Sequence, residues 1–183
     1  VSCVGGGALD TTCIADGLTG GVSYSFQVSA SSTSGESDRS SVLAQATSPA
    51  AVGGTMTFSS VTMTSMTLTW TAPSGATPTG YIVYRDDGDA SAMPTPSIVV
   101  FEGDALTTTV TGLTGGTSYT YIVEALSGAG VGDVSATSSQ STSPAAPLGL
   151  TSDTQTSTSI TLSWSASVVS GGSAVTSYNV YRN

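Results

Sequence analysis

The sequence predicts an all-β fold of seven-stranded, two-sheet sandwiches arranged in tandem and left incomplete at both ends. Three observations carry that expectation. About a third of the 183 residues are Ser or Thr, Gly is frequent, and the apolar residues are mainly Val, Leu, Ile, Ala and Tyr. Such a mixture suits short strands and turns, while the residues that build helix surfaces are missing over long stretches. Apolar and polar positions alternate through most of the β-branched and aromatic runs, the period of a strand with one face buried. Finally, the chain repeats itself. "GLTGG" stands at 17 and again at 112, and "SPAA" at 48 and again at 143, both after 95 residues. "TLTW" at 67 returns as "TLSW" at 161, and "YIVYR" at 81 returns as "YNVYR" at 178, in unchanged order. A unit of about 95 residues follows. Residues 1–49 are then the end of one unit, 50–144 a whole one, and 145–183 the beginning of another.

Within the whole unit each strand has its own signal. "TMTFSSVT" forms the first and "SMTLTWTA" the second, where Met66, Leu68 and Trp70 share a face by the period of two. "TPTG" turns the chain into "YIVYR", and an Asp-rich loop leads to "SIVVFEG". "ALTTTVTGL" and "SYTYIVEAL" flank a Gly-rich corner, with Tyr119, Tyr121, Val123 and Ala125 alternating toward the core; "VSATSSQST" closes the unit. Seven short strands joined by turns make a two-sheet sandwich. In "SIVVFE", Ile98 and Val100 face one way and Val99 and Phe101 the other. With no lysine to guard it, this edge requires cover from a neighbour, a sugar, or its flanking Pro94 and Pro96.

Trp70 on the second strand, Tyr81 with Val83 on the third, and Leu113 with Tyr119 across the corner resemble the fibronectin type III domain, an immunoglobulin-like sandwich. The resemblance covers the whole chain. Leu18 and Tyr24 match the corner in the first piece, and Trp164, Tyr178 and Val180 match the second and third strands in the last. In the strand letters of that family the repeated string is the corner between E and F. Gly lets the chain reverse there, and the Tyr beyond it buries its ring while its hydroxyl bonds back to the backbone. Integrin-binding members of the family carry Arg-Gly-Asp between strands F and G; this loop reads "SGAGVGDVS", so the resemblance does not extend to that activity.

Neither end piece can bury both faces of its strands alone. Placing Asn183 before Val1 yields a continuous reading through strands C, C′, E and F, inside a composite domain of 88 residues, which is 183 less 95. We therefore expect one period of a two-domain repeat, cut inside a loop, whose successive copies continue one another. Two alternatives stand beside it: a fragment of a longer non-repeating array, and half-domains completed in trans by separate polypeptides. A start without Met or signal-peptide character fits a piece of a longer protein.

Lys and His are absent, the basic residues are Arg39, Arg85 and Arg182, and the formal net charge is -9. Phosphate binding needs clustered cations, so neither nucleic acid nor an anionic membrane surface is expected as a partner. No apolar run reaches the length of a membrane span. Without His, Lys or an activated nucleophile, the chain is expected not to be an enzyme and to need no cofactor. Cys3 and Cys13 read as a local disulfide, which implies an oxidising, extracellular setting. By the chain-entropy model so short a loop contributes about 3 kcal/mol at most. A pair of reduced, buried thiols is the alternative; two Cys without His do not close a zinc shell.

"RDDGDA" gathers Asp86, Asp87 and Asp89, a weak calcium candidate; solvated carboxylates on a hairpin loop explain it equally well. Joined copies would create the sequon Asn183-Val1-Ser2, a glycosylation acceptor. Thr47, Ser48, Thr77, Thr95, Thr142 and Ser143 lie beside or near Pro and are weak candidates for O-linked sugar, or else solvated turn residues. The expected role is a non-catalytic structural repeat of an extracellular fibre or cell-surface adhesion and spacer array, with neighbouring copies and attached glycans as partners. One alternative is the spacer region of a secreted carbohydrate-active enzyme; another is a receptor ectodomain segment. A catalytic domain elsewhere in the polypeptide selects the enzyme spacer, and further copies of the same period select the fibre.

Overall fold

A computed structural model describes residues 11–75, 77–86, 98–168, 172 and 174–182. Fourteen strands and no helix occur among them. They are β1 (Ser23–Phe26), β2 (Ser31–Ser32), β3 (Gly35–Glu36), β4 (Leu43–Ala46), β5 (Thr57–Ser59), β6 (Ser65–Thr69) and β7 (Gly80–Arg85). There follow β8 (Ile98–Gly103), β9 (Thr107–Thr111), β10 (Ser118–Ser127), β11 (Gly130–Val131), β12 (Ser138–Ser141), β13 (Leu148–Gln155) and β14 (Ile160–Ser165).

Strands β5 to β12 form an antiparallel β-sandwich. One sheet has the order β5-β6-β9; the other runs β11-β10-β7-β8, with β12 also pairing β10. The alternation in each strand decides which side chains meet between the sheets. Met66 lies opposite Val110 on β9, and Val83 opposite Val123 on β10, so these apolar pairs share the inner face. Met66, Leu68, Val83, Tyr121 and Ala125 are wholly buried, and Trp70, Tyr81, Leu113 and Tyr119 nearly so. Each such aliphatic side chain contributes roughly 1.5–3 kcal/mol by leaving water. Trp70 closes one end of this core with its edge against Tyr81 at 5.8 Å and Phe101 at 5.4 Å. Tilted or edge-on rings at such spacings suit the aromatic quadrupole.

The edge strand departs from strict alternation. Val83 pairs with Phe101 but Tyr84 with Val99, a bulge that leaves Val100 without an opposite residue. Val100 and Phe101 both pack against the core as a result. Ile98 and Val99 are the exposed pair, at 44% and 53%.

Two flanking regions carry less structure. Residues 11–49 form the pair β1–β4 and the short hairpin β2–β3, and residues 148–165 form the pair β13–β14. The third strand expected at "YNVYR" is not formed: residues 174–182 contain none. Its counterpart β7 is bonded on one side by β10 and on the other by β8. No such neighbours are described beside Tyr178, and a strand without a ladder has nothing to hold it extended.

Candidate functional site

The repeated corner is built from backbone groups that would otherwise go unpaired. The Tyr119 hydroxyl accepts the Thr114 N–H at 2.9 Å, and the Tyr24 hydroxyl accepts the Thr19 N–H at 2.8 Å. Thr142 Oγ1 accepts the Thr117 N–H at 3.0 Å and donates to the Thr114 carbonyl at 2.6 Å. Thr47 Oγ1 does the same 95 residues earlier, with the Val22 N–H at 3.2 Å and the Thr19 carbonyl at 2.7 Å. Gly116 N–H reaches the Ser143 carbonyl and Gly21 N–H the Ser48 carbonyl, each at 2.8 Å. These glycines sit at φ +69 and +72, a backbone region closed to most side chains. Ser135 Oγ caps Val123 N–H, and Ser40 Oγ caps Val28 N–H, both at 3.0 Å. The last region keeps its own element: Trp164 meets Tyr178 edge-on at 5.6 Å and 66°, against 5.8 Å and 68° for Trp70 and Tyr81.

Both flanks also present open apolar hollows. One of about 450 Å³ is lined by Cys13, Phe26, Val28 and Leu43. The other, about 320 Å³, is lined by Leu150, Trp164, Tyr178 and Val180. Counted by the repeat, Phe26 and Val28 stand where the sandwich has Tyr121 and Val123, and Trp164 where it has Trp70.

Charged groups are few, and their surroundings differ. The Arg85 guanidinium lies 5.0 Å from the centre of the Tyr119 ring, a cation–π approach. Burial pushes the Tyr121 phenol above its ordinary value, with Arg85 pulling the other way. Tyr84 is raised by burial first and then by its 3.0 Å hydrogen bond to Glu124. Of the two readings the sequence leaves for Asp86, the solvated carboxylate is not what the structure shows: Asp86 is 1% exposed, and its N–H bonds the Thr120 carbonyl just beyond β7. Asp87 and Asp89 lie outside the described residues, among which no cluster of three or more metal-ligating groups occurs.

Cys3, Thr95 and Asn183 likewise fall outside the described residues. Cys13 is described and is not a free thiol. Of the remaining hydroxyls, Ser48 and Thr77 are exposed, Thr47 and Ser143 half-buried, and Thr142 buried. The geometry gives Thr142 a part in the corner rather than an outward-facing hydroxyl. Thr47, Thr142, Ser40 and Ser135 were not singled out as structural by strand patterning. Their signal was the 95-residue spacing, which places each pair at matching positions.

Comparison with known proteins agrees with this geometry. The family model for the fibronectin type III domain matches residues 50–141. Exoglucanase B of Cellulomonas fimi is 34% identical over 198 residues, covering 96% of this chain and 17% of that enzyme. Chitinase A1 of Niallia circulans is 36% identical, covering 74% of this chain and 19% of its own length. The chain thus spans less than a fifth of these relatives. A two-domain fibronectin type III segment of chicken tenascin superposes with a TM-score of 0.51 at 20% identity, covering 69% of this chain and 68% of its own.

Proposed function

The chain belongs to the fibronectin type III family, and we propose that it is a tandem, non-catalytic spacer of a secreted bacterial protein acting on polysaccharide. The observation that carries this reading is the similarity to Exoglucanase B, which runs through both flanks as well as the sandwich yet occupies 17% of that enzyme. A segment of that kind, without His or Lys and with net charge -9, offers separation and solubility rather than chemistry. In this reading residues 1–49 and 145–183 are parts of further domains, and the protein works outside the cell. Cys3 and Cys13 are then disulfide-bonded, which peptide mapping with and without reductant checks directly.

The test is deletion of the segment from its parent polypeptide. Hydrolysis of a soluble oligosaccharide is expected to stay unchanged while hydrolysis of insoluble polysaccharide falls. Loss of activity on the soluble substrate, or equal activity on both, contradicts a spacer.

A structural fibre is the second reading, favoured by the two hollows, which hold complementary shares of one core. Its partners are neighbouring copies, joined covalently or in trans, with any glycans attached to exposed hydroxyls and to Asn183. Sequencing of the whole parent polypeptide separates the two: further copies of the same period select the fibre, and a catalytic domain selects the spacer.

A further inference from the structure

The "GLTGG" string does more than turn the chain at a corner. Gly21 and Gly116 take the positive φ that the reversal needs, but the glycine before each has another constraint. A Cβ on Gly20 would lie 2.7 Å from the Ala50 nitrogen, and one on Gly115 would lie 3.2 Å from the Ala145 nitrogen. Ala50 and Ala145 belong to the two copies of "SPAA", the segments that lead from one unit into the next. Corner and connecting segment are therefore in backbone contact at both places, and the Gly21–Ser48 and Gly116–Ser143 hydrogen bonds tie them.

A third strip of backbone arrives from the following unit. Gly75, in the loop between β6 and β7, is so placed that a Cβ would stand 2.5 Å from the Gly20 carbonyl oxygen. Gly172, in the corresponding loop after β14, does the same one position along: a Cβ would stand 2.5 Å from the Gly116 carbonyl carbon and closer still to its oxygen. That second loop is three residues longer, since Trp164 and Tyr178 are 14 apart and Trp70 and Tyr81 are 11 apart. The segment after β11 adds a fourth contact at the first place, where a Cβ on Gly132 would meet the Pro49 carbonyl oxygen at 2.6 Å. Pro49 itself is buried. Glycine is the residue that permits backbones to approach this closely.

We propose that these contacts form a glycine-keyed joint: the corner of one unit, the connecting "SPAA" and the loop glycine of the next unit interlock backbone to backbone and hold successive units at a set orientation. Consecutive domains otherwise move freely unless the interface between them is large and apolar. Here no described strand of one unit pairs with a strand of another, and close backbone approach makes the connection. The joint deepens the spacer reading and rests on it only for its purpose, a stiff rather than a flexible separation.

The test reads tumbling and so is independent of any enzyme activity. Amide relaxation of the 183-residue chain is expected to fit one rotational correlation time for residues 17–50, the sandwich and residues 148–165. Gly132→Ala and Gly172→Ala, neither at positive φ, should separate the adjoining flank into an independently tumbling body and broaden the distance distribution from X-ray scattering. Gly128→Ala, in the turn between β10 and β11 and four residues before Gly132 but with nothing within 4 Å of its Cβ, should leave both measurements at their original values. The sandwich's own melting midpoint monitors folding, and Gly172 lies outside that sandwich, so a damaged fold cannot mimic the result. Unchanged tumbling in both contact variants, or independent tumbling already present in the unaltered chain, overturns the joint. Loss of the insoluble-substrate effect in the deletion experiment would bear on the spacer reading alone.

Discussion

Trp70 and Trp164 have the same ring partner at nearly the same angle, 68° against 66°, and live in different surroundings. Trp70 is 3% exposed beneath two sheets, whereas Trp164 is half-buried beside an open hollow. The tyrosine corners make the same contrast. Tyr24 and Tyr119 form matching hydrogen bonds, yet the strand beyond Tyr24 ends at Phe26 and the one beyond Tyr119 continues to Ser127. Motifs closed by residues near in sequence persist wherever the motif is written. Strand length and burial depend on the facing sheet, and among the described residues only 50–144 supply two facing sheets.

The largest expected difference between the two regions comes from truncating equivalent core leucines. Leu68 is wholly buried and Leu162 is 38% exposed. Leu68→Ala should cost the sandwich about 2–5 kcal/mol, the transfer loss plus an unfilled cavity. Leu162→Ala should cost the β13–β14 pair under about 1 kcal/mol, since little apolar area is lost there. A urea titration followed through amide signals of β6 and β14 measures both. Equal losses would erase the contrast, because they would require Leu162 to be covered in solution.

A smaller difference should separate the two corner threonines. Thr142→Val preserves shape but leaves the buried Thr117 N–H without its acceptor and the half-buried bond to the Thr114 carbonyl unmade, so about 1–3 kcal/mol should be lost. Thr47→Val removes the same bonds at a half-buried site where water can replace them, and should cost under about 1 kcal/mol. Thermal midpoints of the two variants, read at the amides of their own corner, sharpen the comparison. A cost for Thr47→Val as large as for Thr142→Val would show that the first corner is closed over in solution.

Much of the sandwich was legible because its signals are local and repeated. Alternation placed Met66, Leu68 and Trp70 inside, and the 95-residue recurrence located both corners. Other features depend on what faces them. The bulge at Val100 is a property of the β7–β8 pair, so neither strand alone announces it, and period-two reading grouped Val100 with Ile98, whereas Val100 packs on the core with Phe101. "YNVYR" has a strand's pattern but no ladder beside it among the described residues, and pattern does not report which neighbour a strand has. "RDDGDA" reads equally as calcium ligands or as solvated turn carboxylates, and neither reading announces that Asp86 is buried, its N–H bonded to the Thr120 carbonyl. A hydroxyl near Pro reads alike whether it carries a sugar or, as Thr142 does, accepts one backbone N–H and donates to a backbone carbonyl.

The finest test of the contrast lies at Tyr121, whose counterpart by the repeat is Phe26. Tyr121 is wholly buried, and its hydroxyl has no hydrogen-bond partner among the described residues. Removing an unsatisfied buried hydroxyl relieves a desolvation cost, so Tyr121→Phe should stabilise the sandwich by about 1 kcal/mol at neutral pH. Its pH dependence has a definite sign. Burial raises the native phenol above the ordinary value of 10. Below pH 10 both folded and unfolded chains are protonated there and nothing changes. As pH rises above 10 the unfolded chain loses the proton and the native one retains it, so stability falls. The Phe variant should therefore show a shallower alkaline loss, with Tyr81 and Tyr84, also raised by burial, keeping part of the slope. Denaturation midpoints at pH 7 and across the alkaline range decide it. A destabilised variant at pH 7 would mean that the hydroxyl is bonded in solution, and the sandwich would then owe its core to the same kind of polar closure as the corners.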